Sequence, residues 1–218
     1  MKKIRLPSFS TLPLLLALSL LAVSLQGCIE MAAIGVGAAV LSSVDRRTTG
    51  AQVDDEGIEL RSTNRVSERF GDKVHVNITS YNRSVLVTGE VPNESAKVEI
   101  EKLITGTANV RSVTNDLQVA NGTSLSSRAS DTTITGKVKA RFVDANRFNA
   151  LLVKVVTENS VVYLMGIVTE AEAAAAVEVA RTTGGVRKVV KLFDYCKSTN
   201  AVCSPDKPKA EEPKKSGS

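Results

Sequence analysis

The chain has 218 residues, 43% of them apolar and 23% charged, with 4% aromatics and no Trp; that length holds one ordinary domain or two small ones. The scarcity of aromatics argues against the stacking platforms of single-stranded nucleic-acid binders. The formal net charge of +5 draws partly on Lys2, Lys3, Arg5 and a lysine-rich tail, so it indicates no nucleic-acid partner and leaves only a mild attraction to anionic membrane surfaces.

Lys2, Lys3 and Arg5 form a basic start ahead of an apolar stretch over residues 12–25. That stretch has the length and flanks of a secretory signal rather than a membrane span. It ends in Leu25-Gln26-Gly27-Cys28, a lipobox-like pattern, so residues 1–27 read as a lipoprotein signal peptide and Cys28 as the acylated residue. An uncleaved anchor helix and a cleaved signal with free Cys28 are the competing readings. Ile29 follows the Cys where Asp would resemble an inner-membrane retention signal, which favours the outer membrane. Residues 28–53 then read as a tether: an Ala/Gly/Val-rich part over 31–43, too short to span a bilayer, and a polar linker over 45–55.

An internal repeat follows. Val85-Leu86-Val87-Thr88-Gly89-Glu90-Val91 aligns with Val162-Tyr163-Leu164-Met165-Gly166-Ile167-Val168. Val74, Val76 and Ile78 match Leu151, Val153 and Val155; Asn82 matches Asn159; Ala96, Ile100 and Leu103 match Ala173, Val177 and Ala180. Asn109-Val110-Arg111 meets Gly185-Val186-Arg187 after a one-residue shift. Each unit reads as helix, strand, strand, helix, strand, and the expected class is α+β: two tandem αββαβ domains, each with two helices on a small mixed three-stranded sheet. The expected bounds are 54–120 and 130–197, joined by a linker over 121–129.

Within the second unit, Ile134, Val138 and Phe142 recur on one helical face, with Ser130 or Asp131 as N-cap. Strand residues Leu151, Val153 and Val155 alternate, as do Val162, Leu164 and Gly166, around a turn at Glu158-Asn159. A helix from Glu170 to Arg181 ends at Gly184-Gly185, and residues 186–193 form the last strand. Once Cys28 is acylated, Cys196 and Cys203 remain as an even pair in an oxidising compartment and are placed as a disulfide. With His75 the only histidine and far away in sequence, no metal site and no cofactor are expected. Residues 198–218, rich in Pro, Lys and Glu, read as a disordered tail.

The αββαβ unit with a central Gly after a Val-rich strand resembles the BON domain. The carrying pieces are residues 85–91 with 109–113, and 162–168 with 184–189. Two such domains behind a lipobox resemble the dual-BON outer-membrane lipoproteins over nearly the whole chain up to Lys197. A soluble periplasmic relative shares the pair but lacks the lipobox. The resemblance implies a non-enzymatic, monomeric protein, lipid-anchored in the outer membrane and facing the periplasm. It also implies binding of anionic phospholipid through the second domain, support of envelope integrity, and placement at division sites near the β-barrel assembly machinery.

For that lipid surface, a 100° step per residue puts Gly136, Lys139, Ala140 and Val143 opposite the buried stripe, with Thr133 at the edge. An exposed Val beside Lys suits an interfacial helix, with Lys137 and Arg141 snorkelling at its flanks. A solvated amphipathic helix carrying one stray surface Val is the competing reading. The first unit balances Glu56, Glu59, Glu68 and Asp72 against Arg61, Arg65 and Arg69 and reads as a packing or partner-facing module. Catalysis finds no support: His75 reads as surface filler on a strand, Asp54-Asp55 falls in a linker, and no recognised catalytic motif accompanies them. The alternative function is a periplasmic protein-interaction adaptor or stress chaperone without specific lipid binding.

Overall fold

Helix formation begins earlier than the polar residues 45–55 indicate. In the computed structural model, which describes residues 45–120, 122, 124–197, 199 and 203, helix α1 spans Thr49–Phe70. Its N-cap is Thr48, whose side chain accepts from the Ala51 amide. The expected linker therefore supplies the first turns of α1. Ala51 and Asp55 of this stretch are both buried, and a carboxylate in the buried stripe is what hid the helical period. The signal, Cys28 and most of the tether lie outside the described residues, as does nearly all of the tail.

After α1 and a 3-10 turn, strands β1 (His75–Tyr81) and β2 (Ser84–Val91) form an antiparallel hairpin. Helix α2 (Glu94–Thr105) crosses over to β3 (Ser112–Asn115) and β4 (Gln118–Val119), both parallel to β2. The second module repeats the order: α3 (Leu125–Ala145), β5 (Lys154–Glu158), β6 (Val161–Val168), α4 (Glu170–Arg181), β7 (Lys188–Tyr195). Its sheet runs β5-β6-β7 with β6 and β7 parallel. Ser84 faces Ser112, whereas Val161 faces Lys188, so the second crossover is one residue shorter and accounts for the one-residue shift in the repeat.

Each hairpin closes through two residues of positive φ, Asn82-Arg83 (51° and 65°) and Asn159-Ser160 (49° and 62°). These are the values a type I′ turn needs, and Asn tolerates them at its first position. The second turn thus lies one residue later than expected. A buried carboxylate from the first helix holds each turn. Asp55 accepts from the Asn82 and Arg83 amides, both at 2.7 Å, and Asp131 accepts from the Asn159 and Ser160 amides at 2.9 and 2.8 Å. Asp131 is therefore no N-cap. The cap of α3 is Ser124, and α3 takes in part of the expected 121–129 linker.

The helices cover one face of each sheet. Ile58, Val66, Ile100 and Ile104 meet Val85, Val87 and Val91 in the first module. Here Ile104 takes the buried place expected for Leu103, which is only half-buried. In the second module Ile134, Val138 and Phe142 are buried, with Val162, Leu164, Ala173, Ala176 and Ala180 also in the core. Leu151 departs from the repeat. It sits in a 3-10 turn, Ala150–Leu152, that buries Leu152 and turns Leu151 outward. Gly166 marks a close approach: a Cβ there would lie 2.5 Å from the Leu152 carbonyl oxygen.

Both modules belong to one compact unit, which begins at Asp45. Tyr81 and Leu86 of the first sheet share a buried cluster with Tyr163 and Met165 of the second. The helix-free faces of the two sheets therefore pack on each other. Leu86 and Tyr163 are equivalent positions of the repeat. Polar bonds frame the apolar seam. Tyr163 donates to Asp116 at 2.6 Å, Lys154 Nζ donates to Glu59 at 3.1 Å, and Arg111 reaches Asp194 at 2.7 Å. Ahead of α1, Arg46 forks onto Glu172 at 2.7 and 2.9 Å and donates to the Ile167 carbonyl at 3.0 Å, tying the chain's approach to the second module.

Candidate functional site

Helix α3 is fixed from beneath. Phe142 is buried and meets Phe148 edge-on at 5.0 Å between ring centroids, which anchors the loop after the helix. Asn146 stops α3 in the left-handed conformation (φ 45°). Asn149 then accepts from the Leu151 amide at 3.0 Å and shapes the 3-10 turn.

On the outer face, Thr133, Gly136, Lys139, Ala140 and Val143 are all exposed. Val143 is 66% and Leu151 60% exposed, and both line an open groove of about 510 Å³ with Asn146, Arg147, Phe148 and Asn149. Between Thr132 and Leu151 the sequence carries Lys137, Lys139, Arg141 and Arg147 against one acid, Asp144. Apolar tips with cations around them suit the boundary of headgroups and acyl chains.

Two residues behave differently from their expected roles. Thr133 turns its hydroxyl back to the Ala129 carbonyl at 2.9 Å, so that donor is used within the helix. Arg141 does not snorkel. It donates to Val179 O and Thr183 Oγ1 at 3.3 and 3.0 Å and braces α3 against the end of α4. Leu151 and Arg147 belong to the same surface, whereas the repeat points Leu151 to a strand.

Cys196 and Cys203 form a disulfide with Cα atoms 6.2 Å apart, directly after β7, and Cys203 is buried. Asp54 pairs with Arg83 and Asn109 at the surface, while Asp55 holds the first hairpin turn. His75 is not surface filler. It is half-buried, with Nδ1 2.8 Å from a Glu90 carboxylate oxygen. Among the described residues no helix is long and apolar enough to cross a membrane.

Comparison with known proteins gives four results. The family described as BON domain matches at residues 54–121 and again at 130–197. The chain is 40% identical over 174 residues to the outer membrane lipoprotein DolP of Haemophilus influenzae, covering 78% of this chain and 90% of that one. It is 34% identical over 154 residues to the 21 kDa hemolysin of Actinobacillus pleuropneumoniae, covering 70% and 79% respectively. Among solved structures, CdsD, a structural protein of the type III secretion system of Chlamydia trachomatis, aligns at 14% identity. It covers 67% of this chain and 94% of its own, with a TM-score of 0.26.

Proposed function

The chain belongs to the BON-domain family, and from that membership we propose that it is an outer-membrane lipoprotein, anchored through Cys28 and facing the periplasm, that binds anionic phospholipid through its second BON domain. It acts without catalysis and supports envelope integrity, at division sites and near the β-barrel assembly machinery. The observation that carries the lipid reading is the projection of Val143 and Leu151 from one surface that also bears Lys139 and Arg147. With an acylated Cys28 already holding the chain to the bilayer, this contact serves choice of membrane region rather than attachment.

The test is co-sedimentation of the unlipidated chain Asp45–Ser218 with vesicles of neutral or anionic lipid. Binding should require anionic lipid, weaken with salt, and fall with Lys139→Glu, Val143→Asp or Leu151→Asp. Equal affinity for neutral and anionic vesicles would falsify the lipid reading. A second reading, a protein-interaction adaptor, draws on Val53 and Leu60. These stand 65% and 64% exposed seven residues apart on α1, an apolar pair on the first module. Loss of partner co-purification with Leu60→Asp, with vesicle binding intact, would favour it.

A further inference from the structure

The seam between the modules holds a mixed set of donors that neither the lipid surface nor the anchor uses. His75 opens β1 and is the direct cross-strand partner of Glu90 on β2. Their side chains share the helix-free face with Asn77, Leu86 and Thr88, since alternate residues of a strand face the same way. Glu158, the last residue of β5, enters from the second module, accepting from Asn77 Nδ2 at 2.7 Å and Thr88 Oγ1 at 3.3 Å. One ligand atom each from His75, Glu90 and Glu158 lie within 4.8 Å of one another.

We infer that His75, Glu90 and Glu158 form a binding site for a divalent transition-metal ion, with zinc(II) the ion that the donors fit best. Metal–ligand bonds of about 2.0–2.2 Å place neighbouring donors roughly 3–4 Å apart, so the three atoms need only small rotamer adjustments to share one ion. The imidazole nitrogen selects a borderline-soft ion over calcium or magnesium, which prefer all-oxygen sets.

Burial supplies the driving force. Glu90 and Glu158 are only 6% and 8% exposed, and two carboxylates side by side in such a place repel each other. A dication offsets both charges. The field on this wall is negative in other ways too. Asp116 lines the same cavity, of about 470 Å³, and burial together with the charges of Asp116 and Glu158 pushes the Tyr163 hydroxyl well above the ordinary tyrosine range. Arg187 and Lys188 line that cavity as well, and a second cavity of about 360 Å³ reaches His75 and Glu90 beside Arg128, Lys73 and Asp72. Both give an ion a way in and leave room for water as its remaining ligand. Since the donors come from both modules, the ion would clasp them together.

The experiment uses the full chain in detergent, stripped with chelator and titrated with zinc chloride by calorimetry and by thermal melting. The expected result is one equivalent of zinc bound, with a higher melting temperature that EDTA reverses, while calcium at the same concentration has no effect. His75→Gln and Glu158→Gln should each weaken binding roughly tenfold or more, on the scale of lost metal-site groups. Glu158→Gln keeps an acceptor for Asn77 and Thr88, and circular dichroism checks that both variants fold. Absence of zinc binding at micromolar concentration overturns the proposal. So does zinc binding of unchanged affinity in the two variants, which would locate the ion elsewhere on the chain.

Discussion

Replacing Asp131 by Ala tests whether the first helix of a module is fixed by the hairpin turn it holds. The carboxylate is buried and accepts from two consecutive turn amides at 2.9 and 2.8 Å. Hydrogen bonds to a charged group contribute about 1.5–3 kcal/mol each, and buried amides left unmet carry a comparable cost. Water entering the vacated space recovers part of this, so a loss of about 3 kcal/mol is expected, a large share of a total stability of roughly 5–15 kcal/mol. At an m-value of about 2 kcal/mol per molar urea, the unfolding midpoint of Asp45–Ser218 should fall by about 1.5 M with the slope unchanged. Asp131→Asn, which keeps an acceptor oxygen, should lose about half as much. A midpoint shift below about 0.3 M for Asp131→Ala would refute the assignment of Asp131 as the clamp between α3 and the β5–β6 turn.

Gly166→Ala should destabilise by about 1–3 kcal/mol, because the added methyl meets the Leu152 carbonyl at 2.5 Å; an unchanged urea midpoint would show that β5 yields freely. Burial alone would raise the Glu172 carboxyl, but the paired Arg46 guanidinium and the Thr169 amide draw it below its ordinary 4.5. That pairing therefore stabilises fully above pH 4.5 and is lost as pH falls through the depressed value. Melting curves recorded in acid should fall more steeply for the wild type than for Glu172→Gln, and parallel curves would count against a stabilising Arg46–Glu172 pair. Opening the Cys196–Cys203 loop with Cys203→Ser should cost at most about 2–3 kcal/mol on chain-entropy grounds. A change under about 0.5 kcal/mol would mean that the loop unfolds separately from the sheet.

What the sequence displays best is what repeats at a fixed period. The spacing of Ile134, Val138 and Phe142 marks the buried stripe of α3, and alternation marks Val162 and Leu164 as core residues of β6. The duplication itself is legible because equivalent turns need the same residue, Asn82 and Asn159, at positive φ. The seam is hidden for a physical reason. Tyr163 and Met165, on the opposite face of β6, are apolar too, so the period of Val162 and Leu164 alone does not show that a second face is buried. An apolar stretch such as residues 161–165 marks a strand covered on both faces. The polar partners were out of reach: Tyr163 and Asp116 lie 47 residues apart, Arg111 and Asp194 83, Arg46 and Glu172 126. No local period reports such pairs. Leu151 departs from the strand that its repeat position indicates, because a single 3-10 turn rotates a side chain without altering the repeat alignment.

The two sheets pack on equivalent faces, so each module covers the apolar face that the other cannot cover for itself. Covalent linkage keeps the halves at an effective concentration that separate chains would reach only in the millimolar range. Either half cut from the other would present its Leu86- or Tyr163-bearing face to solvent. Dissection of the chain into single modules therefore exchanges an internal contact for an exposed apolar face.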